Sequence, residues 1–311
     1  MIAQLFSLTT LIGVITAGIR LATPYLYATI GETLGQRSGL VNLGVDGIML
    51  MGAYAAFFVT FKTGNLALGL LVATVVGGLL GLVMAFFSVT LRAEQGITGI
   101  GVYLFGLGMS NLLFRKTLGT VETVSGFPSI HIPLLSDIPV LGPIFFSHNL
   151  LVYGAFALVP VSWFLLNKTT LGLKIRAVGD NPKAADSLGV SVTRVRYFTE
   201  IVGGMLEGIA GASLSIALLN VFQENLTSGM GFIAVALVYF GGWRSVGALA
   251  GAILFSMVNA LQLWLQVIGV RIPPDFAIMM PYVLTIVVLA FTAQRVRAPA
   301  ALAKPFERGE G

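Results

Sequence analysis

The residues best placed to do chemistry are polar groups set into long apolar runs. Glu207 is the sharpest, in Gly203-Gly204-Met205-Leu206-Glu207-Gly208-Ile209-Ala210-Gly211, with glycine on both sides. A carboxylate there can accept hydrogen bonds from the hydroxyls or ring N–H groups of a polar solute, or from a neighbouring helix. Asn259, Gln262 and Gln266 recur at spacings of three and four, which puts three amides on one helix face. They suit either a polar path or hydrogen bonds between helices. Asn42 and Asp46, four residues apart, share a face that lines an inner mouth or holds a loop against its neighbours. Phe232, Tyr239 and Trp264 offer flat faces for stacking on a ring, although aromatics in apolar runs more often pack or mark an interface. Glu200 falls at a helix end and reads as solvated or paired.

Other chemistries are excluded by what is missing. Without a cysteine there is no disulfide, thiolate nucleophile or Cys-ligated metal. The two histidines, His131 and His148, lie near one polar loop with no further ligands clustered beside them. No metal site, no cofactor and no catalytic centre are expected. A Gly-x-x-x-x-Gly-Lys-Ser/Thr phosphate loop is also missing, so ATP is not bound by that device.

The elements that carry these groups are written in the composition. Of the 311 residues, 56% are hydrophobic and 10% charged, against about 25% charged in an average soluble domain. The natural solvent is therefore lipid. Glycine reaches 38 residues against 12 prolines, and small residues let helix backbones approach in a bilayer, where apolar surface alone gives no cohesion.

A spanning helix needs roughly 20 apolar residues. Spans are expected at about 21–36, 42–61, 66–91, 97–114, 149–166, 196–219, 230–242, 246–268 and 276–293, about nine in all. Arg20 and Pro24 are expected to break the first apolar stretch, leaving an interfacial helix before the first span. The piece at 230–242 is too short to cross alone and reads as half of a broken helix.

This gives an all-α, polytopic membrane protein with one transmembrane domain over 1–293 and a tail over 294–311. Its long connections are an outer loop at 115–148 and an inner loop at 167–195. Inside connections carry thirteen Lys and Arg (Arg37, Arg92, Lys168, Lys174, Arg176, Lys183, Arg194, Arg196, Arg244, Arg295, Arg297, Lys304, Arg308). Outside ones carry five (Arg20, Lys62, Arg115, Lys116, Arg271). That bias places the N-terminus outside and the tail in the cytoplasm. The net charge of +5 is thus a topology signal, not a nucleic-acid surface. Gly77-Gly78-Leu79-Leu80-Gly81 and Gly247-Ala248-Leu249-Ala250-Gly251 open similar runs in helices of opposite direction, as an inverted repeat requires.

The inner loop holds the most explicit local code. Asn181 is a good N-cap, Pro182 suits the first helical position, and Gly189 suits the left-handed residue past the end. A helix over 182–188 is specified at both ends. It is too short to be stable alone, so it must dock on its own domain or on another protein.

Arg176-Ala177-Val178-Gly179-Asp180-Asn181-Pro182-Lys183-Ala184-Ala185 resembles the cytoplasmic coupling segment of ABC permeases of the branched-chain amino acid, ribose and nucleoside family. Gly31-Glu32, and Arg37-Ser38-Gly39-Leu40-Val41-Asn42-Leu43-Gly44-Val45-Asp46-Gly47-Ile48-Met49, resemble that family's N-terminal signature. The likeness is closest to the nucleoside and simple-sugar branch, with Asp46 where glutamate is more usual.

The resemblance spans roughly residues 20–293. It implies a permease subunit of an importer in the cell inner (plasma) membrane, not an enzyme. It implies four partners: a separate ABC ATPase that receives the coupling segment, a second and different permease chain, an extracytoplasmic substrate-binding protein, and the lipid bilayer. On the residues alone, an ion-driven secondary transporter remains open, as does a branched-chain amino acid permease. A self-powered transporter leaves the short specified helix unexplained.

Overall fold

A computed structural model of the chain describes residues 8–267 and 297–308, with isolated positions between 279 and 290. The element order is α1 (Leu8–Arg37), α2 (Val45–Thr63), α3 (Leu66–Ala85), α4 (Gln95–Thr117), α5 (Leu141–Phe145), α6 (Leu150–Lys168), α7 (Thr170–Asp180), α8 (Pro182–Ser187), α9 (Val192–Ser213), α10 (Met230–Phe240) and α11 (Ser245–Val267). Short π-helical segments, Phe86–Thr90 and Leu214–Leu218, extend α3 and α9. The described residues contain no strand element, only isolated bridges at Thr123–Val221 and Ser129–Asn149.

Seven of these helices are long and apolar enough to cross a membrane. The expected span at 276–293 lies outside the described residues. The first stretch corrects the sequence reading, because α1 runs unbroken past Arg20 and through Pro24. Proline removes one backbone donor, and neighbouring helices make that tolerable in a packed membrane bundle. Arg20 reaches out from the same helix to the Ser147 carbonyl, 3.5 Å away.

The core is built on α9, which packs against α1, α2 and α3. Glycine makes that possible. A Cβ on Gly204 would strike the Gly77 carbonyl, and one on Gly211 would strike the Met49 carbonyl. The backbones therefore touch directly, the arrangement that small residues permit between membrane helices.

Helix α10 has 11 residues, or about 16 Å of rise at 1.5 Å per residue. That is about half a bilayer core, so the shortness read from the sequence is real. Its N-terminus lies deep in the protein against Asp46, and its C-terminus leads to Trp243, beside Gln36 and Arg37.

Candidate functional site

One polar chain runs through the centre of the bundle. Trp243 Nε1 donates to Gln36 Oε1 at 2.7 Å, and Gln36 Nε2 donates to Glu32 Oε1 at 2.7 Å. The backbone N–H of Asn42 donates to the same Glu32 oxygen at 3.1 Å, and Asn42 Nδ2 donates to Glu207 Oε2 at 3.4 Å. Asn42 Oδ1 in turn accepts from the Gly44 N–H at 2.8 Å. Two predicted residues, Asn42 and Glu207, are thus brought together, and Glu32, Gln36 and Trp243 join them.

Glu207 is only 1% exposed. It lies near two further buried carboxyl groups, Glu32 and Glu200, close enough for like charges to interact. Among the described residues none of the three forms an ion pair. Buried ionisable groups inside a membrane bundle are functional candidates by default. Glu200 corrects the expectation of a solvated or paired helix end, because it is buried beside Gly35.

Asp46 is fully buried but does a different job. Oδ1 accepts from the Gly231 N–H at 2.8 Å and Oδ2 from the Thr227 hydroxyl at 2.9 Å. A carboxylate from another helix therefore caps the first turn of α10, where backbone donors are otherwise unmatched and the helix dipole favours negative charge. A Cβ on Gly231 would collide with the Asp46 backbone, so only glycine allows this approach.

The other predicted residues stand apart. Phe232 packs edge-on against Tyr103 at 5.1 Å between centroids, and Tyr239 against Trp243 at 4.9 Å; each is 39% exposed. On α11, Gln262 is buried, Asn259 half-buried and Gln266 exposed. None of these amides bonds Glu207 or Asn42 among the described residues.

The second candidate region is the inner loop. Asn181 Oδ1 accepts from the Ala184 N–H at 3.0 Å, Pro182 opens α8, and Gly189 takes φ +83°. Both stops read from the sequence are present. The sequence places 170–180 within the loop, but it forms helix α7, which carries Arg176, Gly179 and Asp180.

Gly179 packs on the Arg37 backbone, where a Cβ would meet the carbonyl. Ala185 is buried in the chain's own apolar cluster with Leu34, Leu166 and Val195. Lys183, Ala184 and Leu188 are exposed, Leu188 by 84%.

The tail completes this end. The Ala301 N–H donates to the Gly179 carbonyl at 2.9 Å and the Ala303 N–H to the Gly39 carbonyl at 3.1 Å. Arg196, 1% exposed, donates to the carbonyls of Ser38 at 3.2 Å and Lys304 at 3.1 Å. Arg308 pairs with Asp186 at 3.0 Å, and Glu307 pairs with Arg92. No sequence signal pointed to this clasp, because its bonds are mostly backbone carbonyls and amides.

A glycine-seamed helical bundle with a buried polar line and a docked inner loop is a multi-pass membrane protein. The chain belongs to the family of branched-chain amino acid transport system permease components, whose pattern matches residues 14–289. A Haloferax volcanii protein named as a candidate glucose ABC transporter permease is 36% identical over 323 residues, covering 95% of this chain and 98% of its own.

A guanosine ABC transporter permease of Bacillus subtilis is 34% identical over 312 residues, covering 96% and 97%. A nucleoside ABC transporter permease of Lactococcus lactis is 34% identical over 291 residues, covering 90% and 92%. Bacillus subtilis also has a second guanosine permease, 29% identical to this chain over 246 residues. No solved structure matches the chain.

Proposed function

We propose that this chain is the membrane-spanning permease subunit of an ABC importer in the inner (plasma) membrane, moving a nucleoside or simple sugar inward. ATP is hydrolysed by a separate subunit. The observation that carries the reading is the near full-length similarity to permeases named for guanosine, nucleosides and glucose. It favours this substrate class over branched-chain amino acids. Two guanosine permeases of one organism both resemble this chain, which supports pairing with a related but different permease. A substrate-binding protein on the outer side completes the assembly.

In this reading the exposed face of α8, with Lys183, Ala184 and Leu188, seats in the ATPase, while Ala185 anchors α8 to its own membrane domain. Asn42 and Glu207 are the polar gate in the translocation path. Asp46 acts indirectly by fixing α10, on which Phe232 and Tyr239 stand. Asn259 and Gln262 line the path from α11. The inner loop and tail face the cytoplasm, in keeping with the Lys and Arg bias.

The test uses the whole complex in vesicles with a panel of labelled nucleosides and sugars. Ala184→Trp is expected to abolish uptake while the permease still folds and ATP hydrolysis continues or the ATPase fails to bind. Parent-rate uptake by that variant would remove α8 as the coupling element.

A further inference from the structure

At the inner-loop end, α1, α6, α7 and the turn before α11 enclose a cavity of about 500 Å³. Its walls include three guanidinium groups, from Arg37, Arg176 and Arg244, and two indoles, from Trp163 and Trp243. Arg176 and Arg244 lie close enough to Arg37 for like-charge repulsion, and Asp180 is the acidic group near it. Among the described residues, none of the three arginines forms an ion pair.

Arg244 is exposed, but two details show that Arg37 and Arg176 are not freely solvated. Arg37 Nε donates to the Trp243 carbonyl at 2.8 Å, which fixes its guanidinium plane. Arg176 Nε is buried and has no hydrogen-bond partner. A buried donor of this kind is costly to leave unmatched, and three convergent guanidiniums match the geometry of a phosphate oxyanion. Lys168 adds a further cation over the Trp163 ring, at 5.8 Å.

The cavity's surroundings identify the source of that phosphate. Trp163 and Val246, which line it, are exposed apolar side chains, and Phe164, next to Trp163 in the chain, is exposed as well; all three stand on helices long enough to cross the membrane. Indoles favour the boundary between lipid and water. Basic pockets between membrane helices on the cytoplasmic side suit anionic head groups.

We propose that this cavity binds the phosphate group of an anionic phospholipid, with the acyl chains lying along Phe164 and Val246. The site joins the end of α1 to the α7 segment that carries the inner loop, so a bound anion would relieve repulsion where those two elements meet. Naming the leaflet rests on the proposed orientation; the binding chemistry does not.

Two of the protein's three tryptophans line the cavity, and Trp264→Phe leaves fluorescence to those two alone. The purified permease in neutral detergent is titrated with short-chain phosphatidylglycerol, with phosphatidylcholine of the same chains, and with inorganic phosphate. Phosphatidylglycerol is expected to change the emission saturably. Phosphatidylcholine should not.

Arg244→Gln should weaken that binding about fivefold, and the double variant with Arg176→Gln about twentyfold. Circular dichroism and monodisperse elution establish that the variants are folded. Equal responses to both lipids would overturn the proposal, as would unchanged affinity in a folded double variant. Saturation by inorganic phosphate alone, with no added effect of lipid, would overturn it too. None of these outcomes depends on transport, so failure here would leave the permease reading standing.

Discussion

The two ends of the bundle are held by different means. At the end that holds the tail, the exposed pairs Arg308–Asp186 and Arg92–Glu307 are joined by buried contacts to main-chain atoms: Gly179 against the Arg37 backbone, Arg196 on two carbonyls, and the tail bonded to Gly39 and Gly179. At the opposite end the ties are mixed: Tyr27 donates from inside the bundle to the Leu151 carbonyl at 3.0 Å, while other ties are exposed. Arg115 meets Glu224 in a two-point pair at 3.0 Å or less, and Asn149 caps α6 while donating to the Ala217 carbonyl at 3.0 Å. Buried ties resist deformation, and solvent-exposed pairs contribute little stability and yield to salt. The end that holds the tail thus rests mainly on buried main-chain contacts, whereas the opposite end adds an exposed side-chain pair to its buried ties.

The largest effect should come from Gly179→Val. Its side chain has no room against the Arg37 carbonyl, so α7 must lift away from the end of α1. Loss of folded, monodisperse protein is expected, read by size-exclusion elution. Normal yield and uptake would show that this end is looser than described.

Next is Arg196→Met, which keeps much of the side-chain volume and removes both carbonyl contacts. Hydrogen bonds from a charged group are worth about 1.5–3 kcal/mol each in net terms, so a marked fall in melting temperature is expected. The tail should also become accessible to protease. A tail that stays protected would mean that its own amide bonds suffice.

The smallest effect belongs to the opposite end. Hydrogen bonding from Arg115 holds the Glu224 carboxyl below its ordinary range. A lowered carboxyl stabilises the fold above its unfolded-state value, and that contribution disappears as pH falls through the folded value. Arg115→Gln should therefore melt slightly lower at pH 7, and the difference should vanish in acid or high salt. A large, salt-insensitive loss would erase the contrast between the ends.

Legibility in the sequence followed the range of the interactions. Helix α8 was readable because Asn181, Pro182 and Gly189 code it within nine residues. The half-length of α10 was readable from its apolar run. By contrast, Trp243 meets Gln36 across 207 positions and Asp46 meets Gly231 across 185, and nothing local announces either partner. Glu200 is not legible from its place near a helix end, because Gly35 of α1 packs beside its carboxyl and keeps it buried. Pro24 was misjudged because a helix breaker in water is tolerated where neighbouring helices support the backbone.

The tail's attachment has a practical consequence. Its grip on Gly39 and Gly179 uses the amides of Ala301 and Ala303, and its grip on Arg196 uses the Lys304 carbonyl. Main-chain atoms are the same in every residue except proline's missing N–H, so the exposed side chains of Ala300 and Lys304 can change without loosening the strap, whereas Ala301 is buried and Ala303 holds a φ of +58° that bulky side chains rarely adopt. Proline at 301 or 303 would in addition remove one of the two amides. Purification handles fused after Arg308 would begin beside Asp186 and the exposed face of α8. A handle at the opposite end of the chain is the sounder choice for anyone preparing the complex.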